Sequence, residues 1–165
     1  RNIPFEIIPG VTAGLGAAAE FGIPLTHRDD AGSTLFITGH QCRSSNSQDW
    51  ETLAKLDSTL VFYMGTRRIN EIIEGLLQNG KYPDTPIAII QNATLQSQSI
   101  IVSTLDSIIE DIKKHQILTP AIIIIGKVVD NYNRIQSCLH TIPASMVDPI
   151  EGLGFDIWKS KDILA

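Results

Sequence analysis

Ala121 to Ile125 reads Ala-Ile-Ile-Ile-Ile, and no other stretch limits the fold of this chain so tightly. Successive side chains of a strand point to opposite faces. This run is therefore apolar on both faces, and it belongs in the middle of a sheet covered from each side. Four more short runs rich in β-branched and aromatic residues read as strands: Thr34 to Thr38, Thr59 to Tyr63, Pro86 to Gln91 and Ser99 to Ser103. Helical patterns separate them. Between Thr66 and Gln78 the apolar residues Ile69, Ile72, Ile73, Leu76 and Leu77 recur at helical spacing, and Asn79-Gly80 ends the pattern. Asp49 to Leu56 reads as a short helix. Leu105 to His115 reads as another, with Thr104 as candidate N-cap and Lys113, Lys114 and His115 at the negative end of its dipole. This alternation predicts an α/β layer fold with a mixed, mostly parallel sheet flanked by helices. The third and fourth strands are joined by only a short polar loop, so part of the sheet is expected to be antiparallel.

Upstream, Pro9-Gly10 marks a tight turn. Thr12 follows as a cap for a helix from Thr12 to Phe21, rich in Ala and Gly and so able to approach another backbone closely. Gly22 and Pro24 stop it, and a polar loop presents Thr26, His27 and Arg28. Free N–H groups at a helix start can hold a small polar ligand, and an arginine can hold a carboxylate. The same residues also read as an ordinary turn, helix and loop. The chain opens on Arg1 at a strand-like Ile3 to Ile8, which suggests a piece of something longer. After Val129 the pattern dissolves. Asp130 to Ala165 carries Pro143 and Pro149 with Leu153, Phe155, Ile157 and Trp158 scattered among polar residues.

With 165 residues, 43% of them hydrophobic, the chain can build one real core, with or without a tail. The net charge of -5, the lack of any Lys/Arg run and the sparse aromatics argue against a nucleic-acid partner. The longest apolar run is far too short for a membrane span, and no stretch reads as a signal peptide. Cys42 and Cys138 lack metal-ligand spacing and read as free thiols in a reducing compartment.

Open α/β sheets bind ligands at the carboxyl ends of their strands. Three ends are therefore of interest: Tyr63-Met64-Gly65, Gln91-Asn92-Ala93-Thr94 and Gly126-Lys127. Met64 could lie flat against an adenine or a thioether, or fill the core. Gly65 lets a backbone come close, and Asn92 suits a turn closed by its own side chain. Asn92-Ala93-Thr94 also fits a glycosylation sequon, which is discounted because nothing else suggests secretion. No phosphate loop, metal cluster or Ser-His-Asp set stands out.

Four segments, PGVTAGLGAAAEFGIPLTHR, TLVFYMGTRR, TPIAIIQNATLQSQSIIVSTL and TPAIIIIGKVV, follow one another in the order and spacing of the tetrapyrrole methylases. From about Ile7 to Val129 the chain resembles that family, and its PLTHR loop resembles the uroporphyrinogen-III C-methyltransferases within it. The resemblance implies a two-domain α/β enzyme, usually a homodimer, with S-adenosyl-L-methionine bound between the domains. It implies methylation of two ring carbons of uroporphyrinogen III to give precorrin-2, in the cytoplasm, for siroheme or cobalamin synthesis. The family's cofactor contacts fall on Thr12, Ala13, Met64 and Ala93, and its substrate arginine falls on Arg28. The family's amino-terminal domain, with its GPGD-type turn, GGDP loop and proposed general-base glutamate, has no counterpart here, so no catalytic residue is assigned. On this reading residues 1–33 form an interdomain turn, helix and loop. Residues 34–129 form the carboxyl-terminal α/β domain, and 130–165 a tail of unknown role.

The chemistry agrees at two points. Uroporphyrinogen carries eight carboxylates, and Arg28, Arg67 and Arg68 can supply cations. A sulfonium donor carries an already activated methyl group, so its transfer depends on alignment rather than on a metal. Two alternatives stay open: a methylase of a later precorrin, and a non-catalytic α/β interaction module.

Overall fold

The computed structural model of the protein describes residues 3–39, 48–115 and 117–139. Its strands are β1 (Thr34–Thr38), β2 (Thr59–Tyr63), β3 (Pro86–Gln91), β4 (Ser99–Thr104) and β5 (Ala121–Ile125). Its α-helices are α1 (Ala13–Glu20), α2 (Trp50–Lys55), α3 (Ile69–Gln78), α4 (Ile108–Lys114) and α5 (Asp130–Leu139). Single 3₁₀ turns, Thr66–Arg68 and Lys127–Val129, lead into α3 and α5.

The sheet runs β1-β2-β5-β3-β4, so the doubly apolar β5 lies at its centre. Ile123 and Ile125 join Leu60, Phe62, Ile87 and Ile89 on one face, under α2, α3 and α4. Ile122 and Ile124 join Val61, Ala88 and Ile90 on the other, against Ala17 and Ala18 of α1 and against Val128 and Val129. Full burial of each isoleucine, leucine, valine or phenylalanine among these is worth about 1.5–3 kcal/mol.

The strand directions correct one expectation. Only β1 and β2 pair in parallel; β2–β5, β5–β3 and β3–β4 are antiparallel. Helical crossovers do connect like-directed strands, through α3 from β2 to β3 and through α4 from β4 to β5. Each crossover skips one position in the sheet, and a strand of the opposite direction fills the gap.

Three further local expectations change. Residues 3–12 form no strand, and Ile3, Phe5, Ile7 and Ile8 are all at least 70% exposed, because no described strand lies alongside to pair with them. Thr104 does not cap α4. It extends β4 opposite Pro86, and Ser107 takes the N-cap position. Residues beyond Val129 do not leave the body at once. In α5, buried Asn131 donates to Val128 O and Asp30 Oδ2, and the Tyr132 ring meets Phe21 at 6.4 Å. Cys138 is exposed on α5; Cys42 and residues 140–165 lie outside the described residues.

The α2–α3 contact yields a test. A Cβ on Gly75 would stand 2.5 Å from the Trp50 ring. Gly75→Ala should therefore lower the unfolding free energy by about 1–3 kcal/mol, although alanine is the better helix former by about 1 kcal/mol. The urea midpoint measures the sign.

Candidate functional site

β1, β2 and β3 all run in one direction, so their carboxyl ends share one edge of the sheet. That edge carries Gly39, Met64-Gly65 and the turn from Asn92. The start of α1 is fastened to it. Tyr63 Oη accepts a hydrogen bond from Gly14 N at 2.7 Å and shares another with Thr12 Oγ1 at 2.5 Å. Thr12 occupies the N-cap position, yet its hydroxyl makes no bond to its own helix. Gly14 permits the approach, since a Cβ there would lie 2.5 Å from Tyr63 Oη and 3.0 Å from Phe36 and Val61 side-chain atoms.

Local backbone strain gathers at the same edge. Met64, Asn92 and Thr94 have φ of 54°, 48° and 70°, the non-glycine residues with positive φ among those described. Such conformations cost about 1–3 kcal/mol each and tend to cluster at ligand sites. The crowding around Met64 is steric. A Cβ on Gly39 would meet Gly65 Cα at 2.5 Å, so the ends of β1 and β2 touch backbone to backbone. Gly39 N also donates to Tyr63 O at 2.7 Å. Met64 is 67% exposed, which removes a core role for it among the described residues.

The turn after β3 is held as firmly. Leu95 N donates to Asn92 O, so the turn closes through backbone rather than through the Asn92 side chain. Gln98 accepts from Thr94 N at 2.8 Å and donates to Glu20 Oε1 at 2.9 Å, which ties this loop to α1. Ala93 is half-buried and packs on the α1 side of the sheet. Thr12, Ala13, Met64 and Ala93 are thus brought to one edge.

Arg28 is not. It lies in the exposed turn between His27 and Ala31, which is joined to the start of β1 by Thr34 Oγ1 donating to Leu25 O at 2.7 Å. A five-residue strand spans about 17 Å, and that length separates this turn from the Met64 edge. His27 Nδ1 approaches Asp30 at 3.1 Å, while Arg28 and Arg67 form no ion pair among the described residues. Arg68 is already engaged. Its Nη1 donates to Gly39 O at 2.8 Å and its other nitrogens to Glu71. That hydrogen bond holds the Glu71 carboxyl below the usual carboxylate range and raises the guanidinium further above its own. Arg68 therefore clamps the β1 end instead of offering a free cation.

A groove of about 810 Å³ also lies at the edge opposite Met64. Lys55, Lys81 and Lys127 line it together with Asp30, Asp57, Asp84 and Asp130, so its charges are mixed, with one more carboxylate than ammonium. Among the described residues no three His, Cys, Asp or Glu side chains are grouped to hold a metal, and no helix is long and apolar enough to cross a membrane. Sequence reasoning singled out the Tyr63-Met64-Gly65 end but gave the Tyr63 side chain, Gly39 and Gln98 no part in the site. A glycine in the first turn of a short Ala-rich helix signalled a close contact but could not name the partner.

Comparison with known proteins adds the following. Residues 1–109 match the family model for Tetrapyrrole (Corrin/Porphyrin) Methylases. Over 129 residues the chain is 51% identical to a siroheme synthase of Actinobacillus pleuropneumoniae serotype 3, covering 78% of this chain and 26% of that protein. It is 50% identical over 127 residues to a siroheme synthase of Zymomonas mobilis, covering 77% and 26%. The chain thus spans about a quarter of the length of these curated relatives. Uroporphyrin-III C-methyltransferase from Thermus thermophilus, solved with S-adenosylhomocysteine, superposes with a TM-score of 0.64 at 30% identity, over 78% of this chain and 55% of that one. A cobalt precorrin-4 methyltransferase shares the fold, with a TM-score of 0.68 at 24% identity, over 76% and 53%.

The strained turn at the end of β2 can be tested without any ligand. Glycine tolerates φ of 54° and isoleucine does not. Met64→Gly should leave stability unchanged or raise it by about 1 kcal/mol, while Met64→Ile should lower it by at least about that amount. Paired melting curves of the two variants decide.

Proposed function

The chain belongs to the tetrapyrrole methylases, and on that premise we propose that it forms part of an S-adenosyl-L-methionine-dependent C-methyltransferase converting uroporphyrinogen III to precorrin-2. The convergence of Thr12, Ala13, Met64 and Ala93 at one strained sheet edge carries this reading. These four residues contact the methyl donor. Met64 offers a soft thioether at an exposed turn, which suits the adenine or sulfur end of such a cofactor. The 30% identity to a uroporphyrin-III C-methyltransferase supports this substrate over a later precorrin.

Arg28 is proposed to hold a peripheral carboxylate of the tetrapyrrole. Its exposure and lack of an ion pair among the described residues support that role. Its distance from the Met64 edge supports a role toward the substrate and not toward the donor. The general base is expected in residues outside this chain, so residues 1–165 by themselves are proposed to be inactive. A homodimer and a cytoplasmic location are further proposals drawn from the resemblance.

Two measurements test the reading. Residues 1–165 alone, given S-adenosyl-L-methionine and uroporphyrinogen III, should form no methylated product, and turnover would overturn the assignment of the base. In the whole protein, Arg28→Ala should raise the KM for uroporphyrinogen III by an amount corresponding to a lost charge-assisted contact, about 1.5–3 kcal/mol, with the KM for S-adenosyl-L-methionine unchanged. Product analysis by mass separates precorrin-2 formation from methylation of a later precorrin.

A further inference from the structure

We propose that Tyr63 is a positioning residue for the methyl donor, acting through the first turn of α1; this rests on the methyltransferase reading above. The first N–H groups of a helix have no partner within it, and the N-cap side chain usually takes one of them. Here that arrangement is displaced. Thr12 leaves its helix uncapped, and Tyr63 Oη, forty-nine residues away from Gly14, takes the Gly14 N–H instead.

The consequence is a division of donors. Leu15 N and Gly16 N both return to Thr12 O. Gly14 N is held by the phenol. Ala13 N–H is thereby left, at an exposed position, as the first-turn donor open to a ligand. The phenol accepts from Gly14 N, so its own proton is available to Thr12 Oγ1. When the phenol donates that bond, the Thr12 hydroxyl proton is left for another acceptor at this exposed helix start, next to Ala13 N–H. Two donors then face a polar acceptor on the methyl donor, such as its carboxylate or a ribose oxygen.

The phenol itself cannot wander. Phe36 meets its ring edge-on at 6.0 Å, and the Tyr63 carbonyl is bound by Gly39 N at 2.7 Å. Tyr63 is also chain neighbour to Met64. One half-buried side chain thus sets the distance between the α1 donors and the Met64 turn, the two parts of this edge that would grip opposite parts of one ligand.

The test uses the whole protein, with S-adenosylhomocysteine binding by calorimetry, steady-state kinetics and melting temperature measured on the same samples. Tyr63→Phe removes one oxygen and leaves the ring packed. It should weaken S-adenosylhomocysteine and raise the KM for S-adenosyl-L-methionine by about tenfold, which is about 1.4 kcal/mol, with kcat affected far less. Thr12→Val should have a similar effect, and the double variant should fall well short of the product of the two, because both report one hydrogen-bonded unit. A lower melting temperature with unchanged binding and KM would reduce Tyr63 to a structural tie and overturn the proposal. Fully multiplicative effects would overturn it too. If the unaltered protein fails to bind S-adenosylhomocysteine, the methyltransferase reading falls and Tyr63's role falls with it. If it binds and Tyr63→Phe binds equally, only the role of Tyr63 is lost.

Discussion

Everything in this structure depends on burying both faces of β5. Ile122 to Ile125 are almost wholly removed from water, and no layer on one side alone could do that. The chain must supply helices above and below, and it must flank β5 with strands that satisfy its backbone on both edges. β2 and β3 do so, each with an antiparallel ladder. The amphipathic α3 and the small-residue helix α1 then cover opposite faces.

That requirement shapes the candidate site at a distance. Because β5 enters between β2 and β3, those two strands keep one direction while lying two positions apart. Their carboxyl ends come to the same edge with a gap of about 10 Å between them. The gap is bordered by the Met64 turn on one side and the Asn92 turn on the other, with α1 laid across. Both turns hold non-glycine residues at positive φ. Strain at such positions persists only where surrounding contacts impose it, and here the contacts are identifiable. Gly39 against Gly65 and Arg68 on Gly39 O fix the first turn. Gln98 fixes the second.

Charge at the site is arranged differently from what the formal inventory suggests. Of the three arginines available for an acidic substrate, Arg68 is spent on Gly39 O and Glu71. Arg67 stays exposed near the Met64 edge, and Arg28 stays exposed at the far one. On the proposed reading, the Met64 edge faces a cofactor that itself carries a positive sulfonium, with Arg67 as an exposed arginine near it.

How much of this was legible in the residues alone depends on the range of the interaction. Strand positions were legible, because alternation and β-branched runs are local; the five strands begin and end within a residue of their reading. Helix α3 and the stops at Gly22 and Gly80 were legible for the same reason, and both glycines have positive φ. Thr12, Ala13, Met64 and Ala93 could be singled out from strand and helix ends and from the family resemblance. Their assembly on one edge could not be read, because it depends on which strand lies beside which. Strand order is decided by burial summed over the whole sheet, and a crossover that skips a place leaves no mark in local sequence. The capping of α1 by Tyr63, the occupation of Arg68 and the separation of Arg28 from Met64 are of that kind. Each depends on a contact, or on a distance, between segments far apart in the chain, and only the closed tertiary structure sets it.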